Sequence, residues 1–285
     1  MKIRKAVIPV AGFGTRFLSA SKVVPKEMFT VVDKPIIELL VNELLEAGIE
    51  EIMLVIRDGK EIVEKHFEVN KELEDLLEKD NKTTLLNLVR TTNLADEIKV
   101  VKQEKPLGFV DAIYYAKEFV GNEPFIVCTG DELVLNLENN CIKQMIKAYE
   151  DTNKAVVGVS YTPDDELCNY GIIKYENEGE YLKILEFVEK PKSNAPSNFA
   201  SNGKYLLLPS FFDVVDKKMA TTTGEILIPD CLIELSKQNE LVGLELEGER
   251  CDTGNKFGFV KANIAYGLKN AEIKDKLLDY LKSIV

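Results

Sequence analysis

From residue 5 to residue 131 short apolar runs alternate with longer amphipathic stretches, a rhythm that predicts parallel strands joined by helices. Ala6-Val7-Ile8 reads as a first buried strand. Pro35 suits a helix start, Ile36, Leu39, Leu40, Leu44 and Leu45 recur at helical spacing, and Gly48 supplies the stop. Ile52 to Ile56 predicts the second strand. Between Gly59 and Leu94 the chain is charged, and Leu73, Leu76, Leu77, Leu85, Leu86 and Leu88 give apolar faces without a sustained β-branched run. This stretch, about 59–94, reads as a helical insertion. Ile98 to Val101 and Phe125 to Cys128 predict two further strands, separated by a helix starting near Gly108. The second of these strands ends at Gly130-Asp131.

Beyond Ala155 strand-like runs follow one another: Ala155 to Tyr161, Gly171 to Tyr175, Leu182 to Val188 and Lys204 to Leu208. Helical periods return at Phe211 to Val215, Ile226 to Leu235, Phe257 to Tyr266 and Ile273 to Ile284. No composition break marks a linker and no internal repeat occurs. The expectation is a single domain over 1–285 of the α/β class, with a mixed, mostly parallel central sheet flanked by helices.

Composition narrows the function. A net charge of -12 argues against a broad nucleic-acid surface, which needs clustered Lys and Arg to displace counterions. It leaves room for a small anion held by local cations, because screening confines surface fields to about 8 Å. The cysteines Cys128, Cys141, Cys168, Cys231 and Cys251 are odd in number, widely spaced and without a C-x-x-C pair, which argues against a disulfide framework or zinc site and for a reducing cytoplasm. The apolar stretch after Met1-Lys2-Ile3-Arg4-Lys5 is too short for a signal peptide, and no run approaches the roughly 20 apolar residues of a membrane span.

The first strand runs into Ala11-Gly12-Phe13-Gly14-Thr15-Arg16, a loop whose glycines let backbone N–H groups approach an anion. It is not a dinucleotide fingerprint, since Phe17 stands where a third glycine belongs, and it lacks the Gly-Lys-Ser/Thr of a Walker loop. Taken alone, a plain turn after a strand fits equally well. The single histidine, His66, reads as a partly exposed helix residue without an acid–base role.

Gly-x-Gly-Thr-Arg, followed by Pro25-Lys26-Glu27-Met28 and Asp33-Lys34-Pro35, resembles the N-terminal signature of bacterial UTP:glucose-1-phosphate uridylyltransferases, within the sugar nucleotidylyltransferases. The resemblance continues in order over nearly the whole chain: Gln103 with Pro106-Leu107-Gly108, Tyr170-Gly171-Ile172-Ile173, Val188-Glu189-Lys190-Pro191, Gly203-Lys204-Tyr205, Gly224-Glu225-Ile226 and Cys251-Asp252-Thr253-Gly254. It implies a Rossmann-like fold with a sugar-binding half at about 155–260. The implied reaction is attack by a sugar 1-phosphate oxygen on the α-phosphorus of UTP, releasing pyrophosphate and giving UDP-glucose.

Residue by residue, the resemblance implies Arg16 and Lys26 as the catalytic cations, in place of two solvated surface charges. Ala11, Gly12, Gly14, Thr15, Gln103 and Gly108 would hold the nucleotide; a Gln amide offers the base edge a donor and an acceptor. Gly171, Glu189 and Lys190 would hold the sugar phosphate, Gly171 leaving room for the ring, although Glu189-Lys190 is also what an exposed charge pair looks like. Asp131 and Asp252 would bind Mg2+, which takes one or two carboxylates alongside phosphates; turn chemistry accounts for either aspartate alone. A homodimer or homotetramer is implied, with the helix Ile273 to Ile284 as a candidate interface, although packing on its own core fits that helix equally well.

Two departures stand out. Leu107-Gly108-Phe109-Val110-Asp111-Ala112 lies where the family usually reads Leu-Gly-Leu-Gly-His-Ala, so a glycine and a histidine are missing near the expected base site. Glu132 stands where a second Asp is common. Two rival readings follow: thymidylyl or other nucleotidyl transfer to a different sugar 1-phosphate, and a weakly active regulatory paralogue that binds a nucleotide sugar.

Overall fold

In the computed structural model, which describes residues 1–284, nine strands form one sheet. In chain order they are β1 (Lys5–Pro9), β2 (Glu51–Ile56), β3 (Ile98–Lys102), β4 (Phe125–Cys128), β5 (Ala155–Tyr161), β6 (Gly171–Glu178), β7 (Tyr181–Glu189), β8 (Phe199–Leu207) and β9 (Leu241–Glu245). Across the sheet they lie in the order β3-β2-β1-β4-β8-β5-β9-β7-β6. Pairing is parallel through β3-β2-β1-β4 and between β5 and β9. The other neighbours are antiparallel.

The sheet is mixed, as expected, but "mostly parallel" describes only its first half. Strands joined through a helix return in the same direction, whereas strands joined by a tight turn reverse. The turn between β6 and β7 is a two-residue one in which Gly179 adopts a left-handed φ of 67°. β9 escaped the sequence reading because Gly243 interrupts a five-residue strand; without a Cβ it sits against Leu182 of β7.

Both faces of β1, β2 and β4 are buried, which is why those strands read as unbroken apolar runs, whereas the edge strand β3 carries lysines and is half exposed. Ala6, Ile8, Ile52, Leu54 and Ile126 face one core together with helices Ile36–Glu46, Cys141–Thr152 and Lys256–Gly267. Val7, Met53, Val55, Phe125 and Val127 face the other, covered by helices Phe109–Tyr114, Ser210–Thr221 and Ile228–Lys237. Segment 59–94 folds into helices Glu61–Lys65, Lys71–Lys79 and Thr83–Arg90, tied together by Arg90 and Asn93 donating to Glu74 at 2.8 and 2.7 Å.

The chain builds β2 and β3 on one side of β1 and then places β4 on the other. Between β1 and β4 the order of strands reverses, and a crevice opens there at their carboxyl ends. A separate antiparallel ribbon pairs Glu132–Leu135 with Glu249–Asp252, setting Asp252 opposite Glu132.

Candidate active site

The residues that follow three parallel strands meet at this crevice. Ala11 and Gly12 follow β1, Gln103 follows β3 with its N–H donating to the Ile56 carbonyl at 2.8 Å, and Gly130-Asp131 follow β4. A cavity of about 420 Å³ is lined by Ala11, Gly12, Lys26, Gln103, Gly108 and Asp131, among others. A second, of about 390 Å³, is lined by Arg16, Asp131, Gly171, Glu189, Lys190 and Asp252, among others. Phe109, Thr129, Asp131 and Glu225 line both, so the cavities share a wall at the expected reaction centre.

The structure brings the two distant aspartates together through the ribbon and through Thr253, whose N–H and hydroxyl both donate to the Asp131 carbonyl, at 2.8 and 2.7 Å. A methyl group on Gly254 would lie 2.5 Å from Asp131 Oδ2 and 2.9 Å from Asp252 Oδ1, so both carboxylates crowd one point. Asp252 is held rigidly: Gly254 N–H donates to Oδ1 at 2.8 Å, while the Tyr170 hydroxyl and Asn255 Nδ2 donate to Oδ2 at 3.0 and 2.9 Å. Burial, and then Asp252 beside it, push the Tyr170 phenol up, keeping it a donor.

Lys26 Nζ donates to Asp131 Oδ2. Burial pulls its pKa down, but Asp131, Glu27 and Asp252 outweigh that and hold it above the ordinary lysine value, so Lys26 carries its charge. Two carboxylates with oxygen donors are too few for an all-protein cage and suit a hard divalent cation that keeps waters and arrives with phosphates. Among the described residues no group of three His, Cys, Asp or Glu is placed to hold a metal.

Several expected residues sit differently. Gly14 and Thr15 line neither cavity; Gly14, at φ 65°, lets the loop pack on Lys26, where a Cβ would lie 3.4 Å from Lys26 Cβ. Arg16 is exposed on the wall of the second cavity, which Lys26 does not line, and makes no ion pair among the described residues. The space at Gly171 is taken by Phe187 and by Glu189 Oε2, 3.1 Å from where a Cβ would stand, so this glycine seats Glu189 across the β6–β7 ladder. Val110, in place of the missing glycine, is fully buried in the core and does not line the first cavity. Glu132 lies in the cavity wall, but its carboxylate is committed to Arg250 through two bonds at 3.0 and 2.5 Å. Burial pushes that carboxyl up, to about 7, against the pull of Arg250. His66 pairs with Glu38 at 3.0 Å, away from both cavities.

Sequence reasoning missed Lys60 and Arg250. Lys60, almost fully buried, donates to Glu27 at 2.8 Å and to the Val10 carbonyl at 2.5 Å, tying the lysine-bearing segment to the end of the first strand. Arg250 stacks its guanidinium on the Tyr170 ring at 3.9 Å while gripping Glu132. A lysine in a charged stretch and an arginine beside a glutamate carry no local signal of burial.

Paired carboxylates and a partly buried lysine at the switch point of a doubly covered sheet suit phosphate chemistry in an α/β transferase, and the chain belongs to the nucleotidyl transferase family, whose model matches residues 5–267. It is 42% identical over 285 residues to UTP–glucose-1-phosphate uridylyltransferase 2 of Staphylococcus saprophyticus, covering 99% of this chain and 98% of that protein. The UTP–glucose-1-phosphate uridylyltransferase of Bacillus subtilis is 39% identical over 287 residues, covering 100% and 98%. In structure the chain is similar to a UTP-bound UGPase from Acinetobacter baumannii, with a TM-score of 0.90, 36% identity and 100% of both chains covered. Among the described residues no helix is long and apolar enough to cross a membrane.

Proposed function

We propose that the protein is a UTP:glucose-1-phosphate uridylyltransferase: it transfers the uridylyl group of UTP to glucose 1-phosphate, giving UDP-glucose and pyrophosphate. The observation that carries this is the meeting of Lys26, which lines one cavity, and Asp252, which lines the other, at Asp131, which lines both; the reading assigns one cavity to each substrate. Full-length similarity to uridylyltransferases favours UTP and glucose 1-phosphate over the thymidylyl and regulatory readings.

Both reactants are anions, so their approach requires positive charge at the phosphates. The new bond joins a sugar-phosphate oxygen to the α-phosphorus as the bond to the bridging oxygen breaks, and the electron pair leaves with pyrophosphate. Lys26, kept protonated by its acidic neighbours, faces the nucleotide cavity and neutralises charge as it moves onto the leaving group. Lys190, whose backbone takes a left-handed φ of 47° at the end of β7, brings a cation to the sugar phosphate; Glu189 accepts from sugar hydroxyls. Arg16 neutralises phosphate from the second cavity's side. Asp131 and Asp252 would hold Mg2+, which would supply further charge neutralisation on the phosphates when bound.

The free cysteines fit a cytoplasmic location. A homodimer or homotetramer belongs to the same reading, and Leu278, Tyr280 and Ile284 on the last helix are exposed apolar groups available for it; sedimentation reads the mass. The deciding experiment is pyrophosphate release across UTP, dTTP, ATP, CTP and GTP with several sugar 1-phosphates. UTP with glucose 1-phosphate is expected to be fastest; release with no pair overturns the reading.

A further inference from the structure

Gln103 lines the nucleotide cavity and is only 6% exposed. Its amide nitrogen has two hydrogens, and both meet obligate acceptors. Nε2 donates to Asp111 Oδ2 at 2.6 Å and to the Gly108 carbonyl at 3.3 Å. With a carboxylate and a carbonyl at one end, the amide has a single satisfactory orientation, because turning it over would set its oxygen against two other acceptors. No described residue donates to Oε1, which is left for a ligand. Asp111 is one of the residues by which the segment after Gly108 departs from its family's pattern.

We propose that Asp111 is a positioning residue for base recognition: by holding the Gln103 amide nitrogen, it presents Gln103 Oε1 to the base as an acceptor. Such a site takes a pyrimidine whose N3 carries hydrogen, as in uracil, and rejects cytosine, whose N3 is a lone pair facing another lone pair. The inference rests on the cavity being the nucleotide site, and it concerns uracil against cytosine only, since thymine shares the N3–H.

Asp111→Asn tests it. The substituted side chain has nearly the same shape but can present either oxygen or nitrogen, which removes the shorter of the two restraints and leaves only the 3.3 Å bond to the Gly108 carbonyl to oppose turning over of the Gln103 amide. The ratio of kcat/KM for UTP to that for CTP is expected to fall roughly tenfold, the scale of one hydrogen bond misdirected. Asp111→Glu, still an obligate acceptor, is expected to hold the ratio nearer the parent value, and Asp111→Ser, which donates or accepts, repeats the loss if the Asn variant does not fold. Calorimetric titration with UTP and CTP gives the same ratio without turnover, so it reads base selection even if the assignment of the transfer reaction fails. An unchanged UTP/CTP ratio in folded Asp111→Asn, or a ratio that falls equally in Asp111→Glu, overturns the proposal.

Discussion

Replacing Lys60 with Met removes one half of a buried ion pair and leaves the other half in place. Side-chain exposure is 3% for Lys60 and 1% for Glu27, so water cannot take over the role of the lost ammonium. Burial pushes the Lys60 pKa below the ordinary lysine value despite the opposing pull of Glu27. The pair therefore adds little over an apolar replacement, yet breaking it is expensive. Removing one partner of a buried pair costs about 3–5 kcal/mol, whereas exchanging both for well-packed apolar groups is often close to neutral. At roughly 2–4 °C per kcal/mol, Lys60→Met is expected to lower Tm by roughly 6–20 °C, and Glu27→Leu with Lys60→Met to recover most of the loss. Urea unfolding of the four proteins of the cycle gives the coupling energy directly. A single variant within about 1 kcal/mol of the parent, or a double variant worse than Lys60→Met, refutes the reasoning. Because Lys60 also holds the Val10 carbonyl beside Ala11, the single variant is expected to raise the KM for UTP.

Lys26→Ala is expected to lower kcat by 10²–10³-fold, about 2.7–4 kcal/mol, the scale of losing one preorganised donor at developing charge; unchanged turnover removes Lys26 from the mechanism. Chelation of divalent ions is expected to abolish pyrophosphate release and added Mg2+ to restore it, with Asp252→Asn needing much more Mg2+ for half-maximal rate; metal-independent turnover contradicts the carboxylate assignment. For pH, hydrogen bonds from Arg4 and then Lys5 hold the Glu123 carboxyl down at about 2, below its ordinary 4.5. A depressed carboxyl stabilises the fold above its unfolded pKa and loses that contribution as pH falls from 4.5 through 2. Glu123→Gln is therefore expected to flatten the acid limb of the stability profile in that window, and an unaltered limb contradicts the assignment.

The parallel strands were legible because helices cover both faces of that half of the sheet, so hydrophobic burial writes itself into the chain as continuous apolar runs. The helix Cys141–Thr152 was not read from the sequence, although Asn140 caps it by accepting from Ile142 and Lys143 N–H at 2.9 and 3.3 Å. The glycine loop, Lys26 and the aspartates were legible as an ordered set of motifs. β9 was not, because a glycine interrupts five residues and leaves no periodicity to read.

Sequence by itself determined most of the strands and helices and which residues bring charge or backbone freedom, since those depend on neighbours a few positions away. Only the tertiary structure decided how they meet. The ribbon that sets Asp252 beside Asp131, the burial of Lys60 on Glu27, the use of Gly171 to seat Glu189 and the orientation of the Gln103 amide are contacts between different strands, loops or helix turns. Their energies come from geometry and desolvation in a shared interior, and no local pattern in a chain encodes which distant carboxylate will exclude water from which lysine.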